Sequence, residues 1–290
     1  VPVFFINKFI LSFFFLATGA LAQDGPLVIA LKPDKNPEAM VSERKDLEKY
    51  FAEKAKLPVK VIVPMSGAVI QEGLLNGTID LAYLSGMEMV KAEKERSAEI
   101  LLAGEIEGIT SYESYWVSLK EKPYASVKDL RGKPVAFASR TSTSGFLIPL
   151  YDLVKKGLLP AKGKSEDFFG TGNVTFGTGY VSAIERVLAG QSEAAAVSDY
   201  VMKGDKHLTP DQKAKLKVVA RQGPVPTHIL AVRRGLDKSD RAKLQSALLA
   251  LNENPTLRDR LFTSKLVKVN GDKQIASLKE ALKLTGIVLE

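Results

Sequence analysis

Short apolar runs alternate with amphipathic stretches along the chain, the pattern of an α/β protein with largely parallel sheets. Leu27 to Leu31 reads as the first strand. Residues 38–54 carry Leu47, Tyr50 and Phe51 at helical spacing, and Val59 to Val63 reads as a second buried strand. Ala68 to Asn76 predicts a helix ended by Gly77, and Ile79 to Leu84 a third strand. Strand, helix, strand, helix, strand is a βαβαβ unit.

A second unit of similar build begins after Pro123, where the run from Val127 to Lys133 leads into a strand from Pro134 to Ala138. Helices from about Gly145 to Lys156 and from Val181 to Leu188 follow, then a strand from Ala194 to Val197. Two similar halves imply two lobes. Pro224 to Arg233 reads as one strand returning across the boundary, and the last fifty or so residues read as helical, with caps at Ser239 and Asn254-Pro255. The expected division is a first lobe from 23–116 and 226–290, discontinuous in sequence, around a second lobe from 117–225.

The start of the chain has a different pattern. Residues 1–22 hold one cation, Lys8, an apolar core from Phe9 to Leu16 and a small-residue end at Ala20-Leu21-Ala22, the build of a secretory signal peptide. The apolar run falls short of the roughly 20 residues a membrane anchor needs. Export to the periplasm is expected.

Composition narrows the chemistry. The chain has no cysteine, and its two histidines, His207 and His228, lie too far apart in sequence to form a local ligand pair. That argues against zinc and against Cys/His nucleophilic chemistry, and no metal or organic cofactor is expected. The formal net charge of +8 suits attraction of anions. Its cations are interspersed with acids, as from Lys91 to Arg96, which reads as a solvated surface and not a nucleic-acid footprint.

The most informative segment is Phe137 to Pro149, which places Thr141, Ser142, Thr143 and Ser144 between a strand and a helix start. A helix N-terminus offers unpaired N–H groups to an anion, and hydroxyls add donors beside them. Gly145 is expected to let the backbone approach a ligand, and Pro149 suits the first turn. A single hydroxyl would suffice as a cap, so four in a row point to binding. No Gly-Lys-Ser/Thr ending makes this a nucleotide phosphate loop. A second loop, Phe176 to Glu185, contains Gly177, Gly179 and Tyr180 and opens a helix in which Ser182 and Glu185 have capping-box spacing. Asp199 stands just past a strand end, where open α/β sheets place ligand groups, and Tyr83 and Tyr112 are candidate pocket walls. A serine hydrolase would need a base near a serine and has no Gly-x-Ser-x-Gly elbow here, so no enzymatic activity is expected.

The order of these pieces resembles the phosphate/phosphite/phosphonate-binding proteins that serve ATP-driven importers. The resemblance rests on Asn76 to Tyr83, on Asp129 to Lys133, on Ala194 to Val197 and above all on Ser142-Thr143-Ser144-Gly145-Phe146-Leu147-Ile148-Pro149. It implies two α/β lobes joined by two crossover strands, with a ligand cleft between them. It also implies that Ser142, Thr143 and Ser144 hold the oxyanion and that Tyr83, Tyr112 and Asp199 complete the pocket, with Thr141, Gly179 and Tyr180 in the same set. Many members have Gly-Ser-His where this chain has Gly177-Thr178-Gly179-Tyr180, so Gly179 or Tyr180 stands in for a histidine donor. Met65-Ser66-Gly67 likewise replaces a stretch that often holds an acidic residue and a tyrosine.

The expected role is capture of a phosphonate, phosphite or phosphate by a monomer that delivers it to an importer's permease. Reporting the anion to a sensor histidine kinase is the alternative. A carboxylate at Asp199 would repel an oxyanion at about 4 Å by about 4 kcal/mol at an effective dielectric near 20, so ligands retaining a P–OH or carrying an amine are expected to be preferred. For the leader, N-terminal sequencing of exported protein should start at Gln23; a chain still starting at Val1 would contradict cleavage.

Overall fold

A computed structural model describes residues 25–31, 37–204, 207–261 and 264–289, so the leader lies outside the described residues. Two sheets organise the chain. The first has six strands in the order β11-β4-β10-β3-β1-β2, where β1 is Leu27–Ala30, β2 Val59–Ile62, β3 Leu81–Leu84, β4 Ala98–Glu105, β10 Ile229–Arg233 and β11 Lys265–Val267. The second has five in the order β7-β6-β8-β5-β9, where β5 is Ser111–Leu119, β6 Val135–Phe137, β7 Val174–Phe176, β8 Ala194–Ser198 and β9 Leu216–Pro226. Strands β2, β1 and β3 run parallel, as do β7, β6 and β8, while β10 and β5 pair antiparallel with their neighbours.

Strand periodicity distributes the core between two faces of each sheet. In the first sheet Leu27, Ile29, Leu81, Leu230 and Val232 pack with Leu47 and Phe51 of α1 (Pro37–Ala55) and Leu244 and Leu248 of α9 (Lys238–Ala250). Their neighbours Ala30, Ala82, Leu84, Ile229 and Ala231 face the other way, onto α2 (Gly67–Asn76), α3 (Gly86–Lys94) and α11 (Gly271–Thr285). The second sheet divides similarly. Trp116, Phe137 and Ala196 pack with α4 (Ile148–Lys155) and α5 (Ser165–Phe169), while Tyr115, Ala136 and Val197 face α6 (Tyr180–Leu188). Helices α7 (Asp199–Lys203), α8 (Pro210–Ala214) and α10 (Pro255–Leu261) complete the set.

The segment from Asn76 to Tyr83 has a structural logic of its own. Gly77 ends α2 at φ 82°, a left-handed conformation that suits glycine. Asp80, fully buried, then fastens three strands: its Oδ2 accepts from Val28 N at 2.8 Å and its Oδ1 from Arg233 Nε at 2.6 Å.

Several expectations need correction. β5 lies wholly in the second sheet, so the change of lobe falls between Glu105 and Ser111 and not at residue 116. The single returning strand expected from Pro224 to Arg233 is two strands, β9 and β10, in different sheets and divided by Thr227 and His228. Ser182 does not start a capping box; α6 begins earlier, and Ser182 Oγ reaches back to accept from Thr178 N at 2.9 Å and Gly179 N at 3.2 Å. Asp237, not Ser239, caps α9, whereas Asn254 Oδ1 does accept from Leu257 N at 3.1 Å. The C-terminal region also contributes β11, too short for periodicity to reveal.

The lobes are not separate cores. Tyr112, Leu147, Ile148 and Val225 of the second lobe share a cluster with Leu84, Met87, Ile229 and Leu278 of the first. Helix α11 ties both: Lys279 pairs with Glu93 at 2.6 Å, and Lys162 N donates to Leu284 O at 2.7 Å. Burial, then a hydrogen bond to Glu280, pushes the Tyr151 phenol of α4 up to about 12.

Asp80→Ala strips the Arg233 guanidinium and the Val28 amide of the carboxylate they face. Removing one member of a buried pair costs about 3–5 kcal/mol, so urea denaturation should show a loss of that order. A loss below about 1 kcal/mol would mean that water replaces the carboxylate.

Candidate functional site

The strand ends that follow β3, β6 and β8 open onto one interlobe cleft of about 1440 Å³. Tyr83, Tyr112, Thr141, Ser142, Thr143, Gly179, Tyr180 and Asp199 all line it. Ser144 does not.

The hydroxyl run is built around a π turn. Ser142 Oγ accepts from Gly145 N at 3.0 Å, and Leu147 N donates to Ser142 O at 3.1 Å, five residues back. This wider turn, Thr143–Leu147, leads into α4 with Pro149 in the first turn. Thr143 and Ser144 occupy the positions whose amides a helix start leaves without an intrahelical acceptor. Gly145 is required for a reason other than ligand approach. A Cβ there would lie 2.4 Å from Ala138 Cβ and 3.2 Å from the Ala196 carbonyl oxygen, so the glycine lets the turn settle onto β6 and β8.

Thr143 and Ser144 differ in their setting. Thr143 Oγ1 accepts from Met87 N at 3.1 Å, joining the cradle to the first turn of α3 in the opposite lobe. That turn is itself capped reciprocally by Ser85 and Glu88. Ser144 is fully buried one layer behind the cleft. Its Oγ accepts from the Tyr112 hydroxyl at 3.3 Å and stands 2.7 Å from the Tyr180 hydroxyl. Ser114 Oγ donates to the Ser144 carbonyl at 2.5 Å, and Gln222 Nε2 donates to Ser114 Oγ at 2.9 Å. A hydroxyl has one proton to give. With Tyr112 donating to Ser144, the Ser144 proton is free to go to Tyr180, whose side chain lines the cleft and also hydrogen-bonds Tyr112 and Tyr200.

Aromatic rings wall the space. Tyr83 stacks on His228 at 4.9 Å between centroids, and Tyr112 lies parallel to His228 at 6.4 Å. Tyr200 packs at 5.9 Å from Tyr112 and edge-on at 5.7 Å from Tyr180. Burial, then the neighbouring Tyr180, pushes the Tyr112 and Tyr200 phenols well above their usual value. Both remain protonated donors at neutral pH.

Asp199 begins α7 and is almost entirely buried. Lys203 Nζ donates to its Oδ2 at 2.7 Å, one helical turn on. The hydrogen bond to Asp199 raises the Lys203 pKa, keeping the ammonium charged. The expectation of a bare carboxylate facing the ligand is therefore corrected: its counter-ion belongs to the chain.

Sequence reasoning missed His228, Tyr200 and Lys203. The four-residue spacing from Asp199 to Lys203 was a readable signal on a helix, but the helix is a single short turn that periodicity does not disclose. His228 had no local signal, because its place depends on where two sheets meet.

A family model described as the periplasmic substrate-binding protein of a phosphonate ABC transporter matches residues 29–279. The phosphate-import protein PhnD of Mycolicibacterium smegmatis is 25% identical over 220 residues, 72% of this chain and 67% of that protein. PhnD1 of Prochlorococcus marinus, solved in complex with methylphosphonate, superposes with a TM-score of 0.77 at 19% identity, covering 90% of this chain and 98% of that one. A binding-protein component of an ABC phosphonate transporter from Pseudomonas aeruginosa superposes at 0.72 and 20% identity, covering 89% and 86%. The two-lobed fold is common to these structures, and the match across most of the sequence makes this chain a member of the periplasmic substrate-binding proteins of phosphonate ABC transporters.

Proposed function

We propose that the cleft captures a phosphonate, phosphite or phosphate through Ser142, Thr143 and Tyr180, and that the closed protein hands it unchanged to the permease of an ABC importer. The observation that carries this reading is the chain of hydroxyls from Tyr112 through Ser144 to Tyr180, which sets the Tyr180 phenol in the cleft lining with the Ser142–Thr143 turn. Tyr180 then supplies the donor expected of a histidine in many relatives. Ser144 acts from behind, by fixing which way that phenol donates. The names of relatives that import phosphate or hold methylphosphonate support the ligand class. Residues 1–22 would direct export and be removed.

Calorimetric titration of the mature protein with methylphosphonate, phosphite and phosphate tests the reading. Tyr180→Phe removes a hydrogen bond to a charged acceptor, worth about 1.5–3 kcal/mol, so affinity should fall about 10- to 100-fold while thermal stability changes little. Ser144→Ala should fall similarly by freeing the phenol to rotate. Unchanged affinity in both variants would remove the hydroxyl chain from the site.

The Asp199–Lys203 pair gives an independent test. Lys203→Met leaves a carboxylate near the anion without its counter-charge, so affinity for phosphite should fall about tenfold, the exposure of Lys203 keeping the effect modest. Asp199→Asn in the same chain should restore it. Equal affinities in wild type and Lys203→Met would place the pair outside the ligand's field.

A further inference from the structure

Among the described residues that line the cleft, each Lys and Arg already faces a carboxylate. Lys156 pairs with Asp152 at 2.6 Å, Lys203 with Asp199 at 2.7 Å and Arg221 with Glu113 at 3.8 Å. Glu88 and Glu107 add further negative charge to the same lining. An oxyanion entering this space therefore meets hydroxyls and amides but no lysine or arginine whose charge is uncommitted. Hydrogen bonds from neutral donors can hold an anion, yet the acidic lining opposes its charge.

We infer that His228 supplies the missing positive charge, and that the protonated imidazole makes capture of the oxyanion proton-linked; this rests on the phosphorus-oxyanion reading above. His228 lines the cleft from the crossing between β9 and β10, with its carbonyl accepting from Gly104 N at 3.0 Å. Its ring is parallel to two phenols, Tyr83 at 4.9 Å and 12° and Tyr112 at 6.4 Å and 0°. Aromatic faces favour a cation placed over them. Tyr112 also donates to Ser144, so the imidazole is one ring away from the hydroxyl chain of the anion cradle.

The fixed charges of the cleft lining sum to a negative value. Tyr83 on β3 and Tyr112 on β5 pack directly against it, and Tyr112 is held neutral by burial. Glu88 of α3, Glu107 of the first crossing and Glu113 of β5 contribute negative charge, whereas the positive charges of Lys203 and Arg221 are offset by Asp199 and Glu113. The second histidine, His207, also lines the cleft, where it packs on Tyr200 at 5.3 Å. An unperturbed histidine titrates near pH 6.5, so ligand charge and ring charge can trade places across the neutral range. Because the ring is charged only below its pKa, its contribution is greatest in acid and is lost as pH rises through the pKa of the complex.

The test compares wild type with His228→Gln, using phosphite as the probe, by calorimetry from pH 5.5 to 8.5. Titration of the phosphite itself is common to both proteins and cancels in the ratio of their affinities. The ratio should be about tenfold or more at pH 5.5–6.5 and fall toward one by pH 8.5. Repeating wild-type titrations at neutral pH in buffers of different ionisation heat should show proton uptake that His228→Gln lacks. A readout independent of the variant's folding is the NMR titration of the His228 ring in the wild type, assigned with His207→Gln. Saturating phosphite should raise its pKa by about one unit, the counterpart of a tenfold affinity change. Phosphite binding with a flat ratio and an unmoved His228 pKa would overturn the role of His228 alone. Failure of the wild type to bind phosphite, phosphate or methylphosphonate would overturn the ligand reading and, with it, this inference.

Discussion

The molecule depends on how the chain passes twice between its two sheets. At the first crossing Ile106 and Ile109 exchange backbone hydrogen bonds at 2.8 and 3.0 Å, reversing the chain between β4 and β5. At the second, Thr227 N donates to Thr110 O at 3.1 Å and its hydroxyl reaches Gly104 O at 2.6 Å, so one residue grips both sides of the first crossing. These bonds hold the strands side by side where each sheet ends. They also bring His228 and Tyr112, remote in sequence, side by side with parallel rings 6.4 Å apart.

From that constraint the site follows. Because β3, β6 and β8 run toward the crossing, the loops that follow them converge, and each brings one part of the chemistry: Tyr83 and the α3 start, the Ser142–Ser144 turn, and the Asp199–Tyr200 pair. The contact between Thr143 and Met87 then sets the cradle of one lobe against a helix start of the other. Helix α11, packed on both lobes at the far side, limits how far they can separate without disturbing the cluster around Leu278 and Ile148.

The cleft pairs each of its fixed Lys and Arg charges with a carboxylate. Salt bridges within the lining leave the work of holding an anion to hydroxyls, amides and a titratable ring. Neutral donors suit a protein that must release its cargo, since they bind without the deep Coulombic well of an uncommitted arginine. Burial keeps the Tyr112 and Tyr200 phenols protonated over the physiological range.

Much of this was legible in the amino-acid order. Alternating strand and helix patterns gave the α/β class and the two halves, and the four hydroxyls before Gly145 marked a donor-rich turn of which Thr141, Ser142 and Thr143 line the cleft, because both are local signals carried by adjacent residues. Gly77 and Asn254 announced their caps for the same reason. The lobe boundary was misplaced because a strand's own sequence does not say which of two sheets it joins, and β5 pairs with β8 and β9. Ser144 was read as a ligand contact, although Tyr112 and Tyr180 cover it. Lys203 and His228 escaped notice because neither has a meaning until a fold supplies Asp199 with a neighbour and Tyr83 with a stacking partner. The sequence by itself determined which segments become strands, helices and a donor-rich turn, since those choices depend on periodicity and backbone preference; only the tertiary structure decided which charges cancel and which rings meet, since those depend on distances between residues the chain keeps far apart.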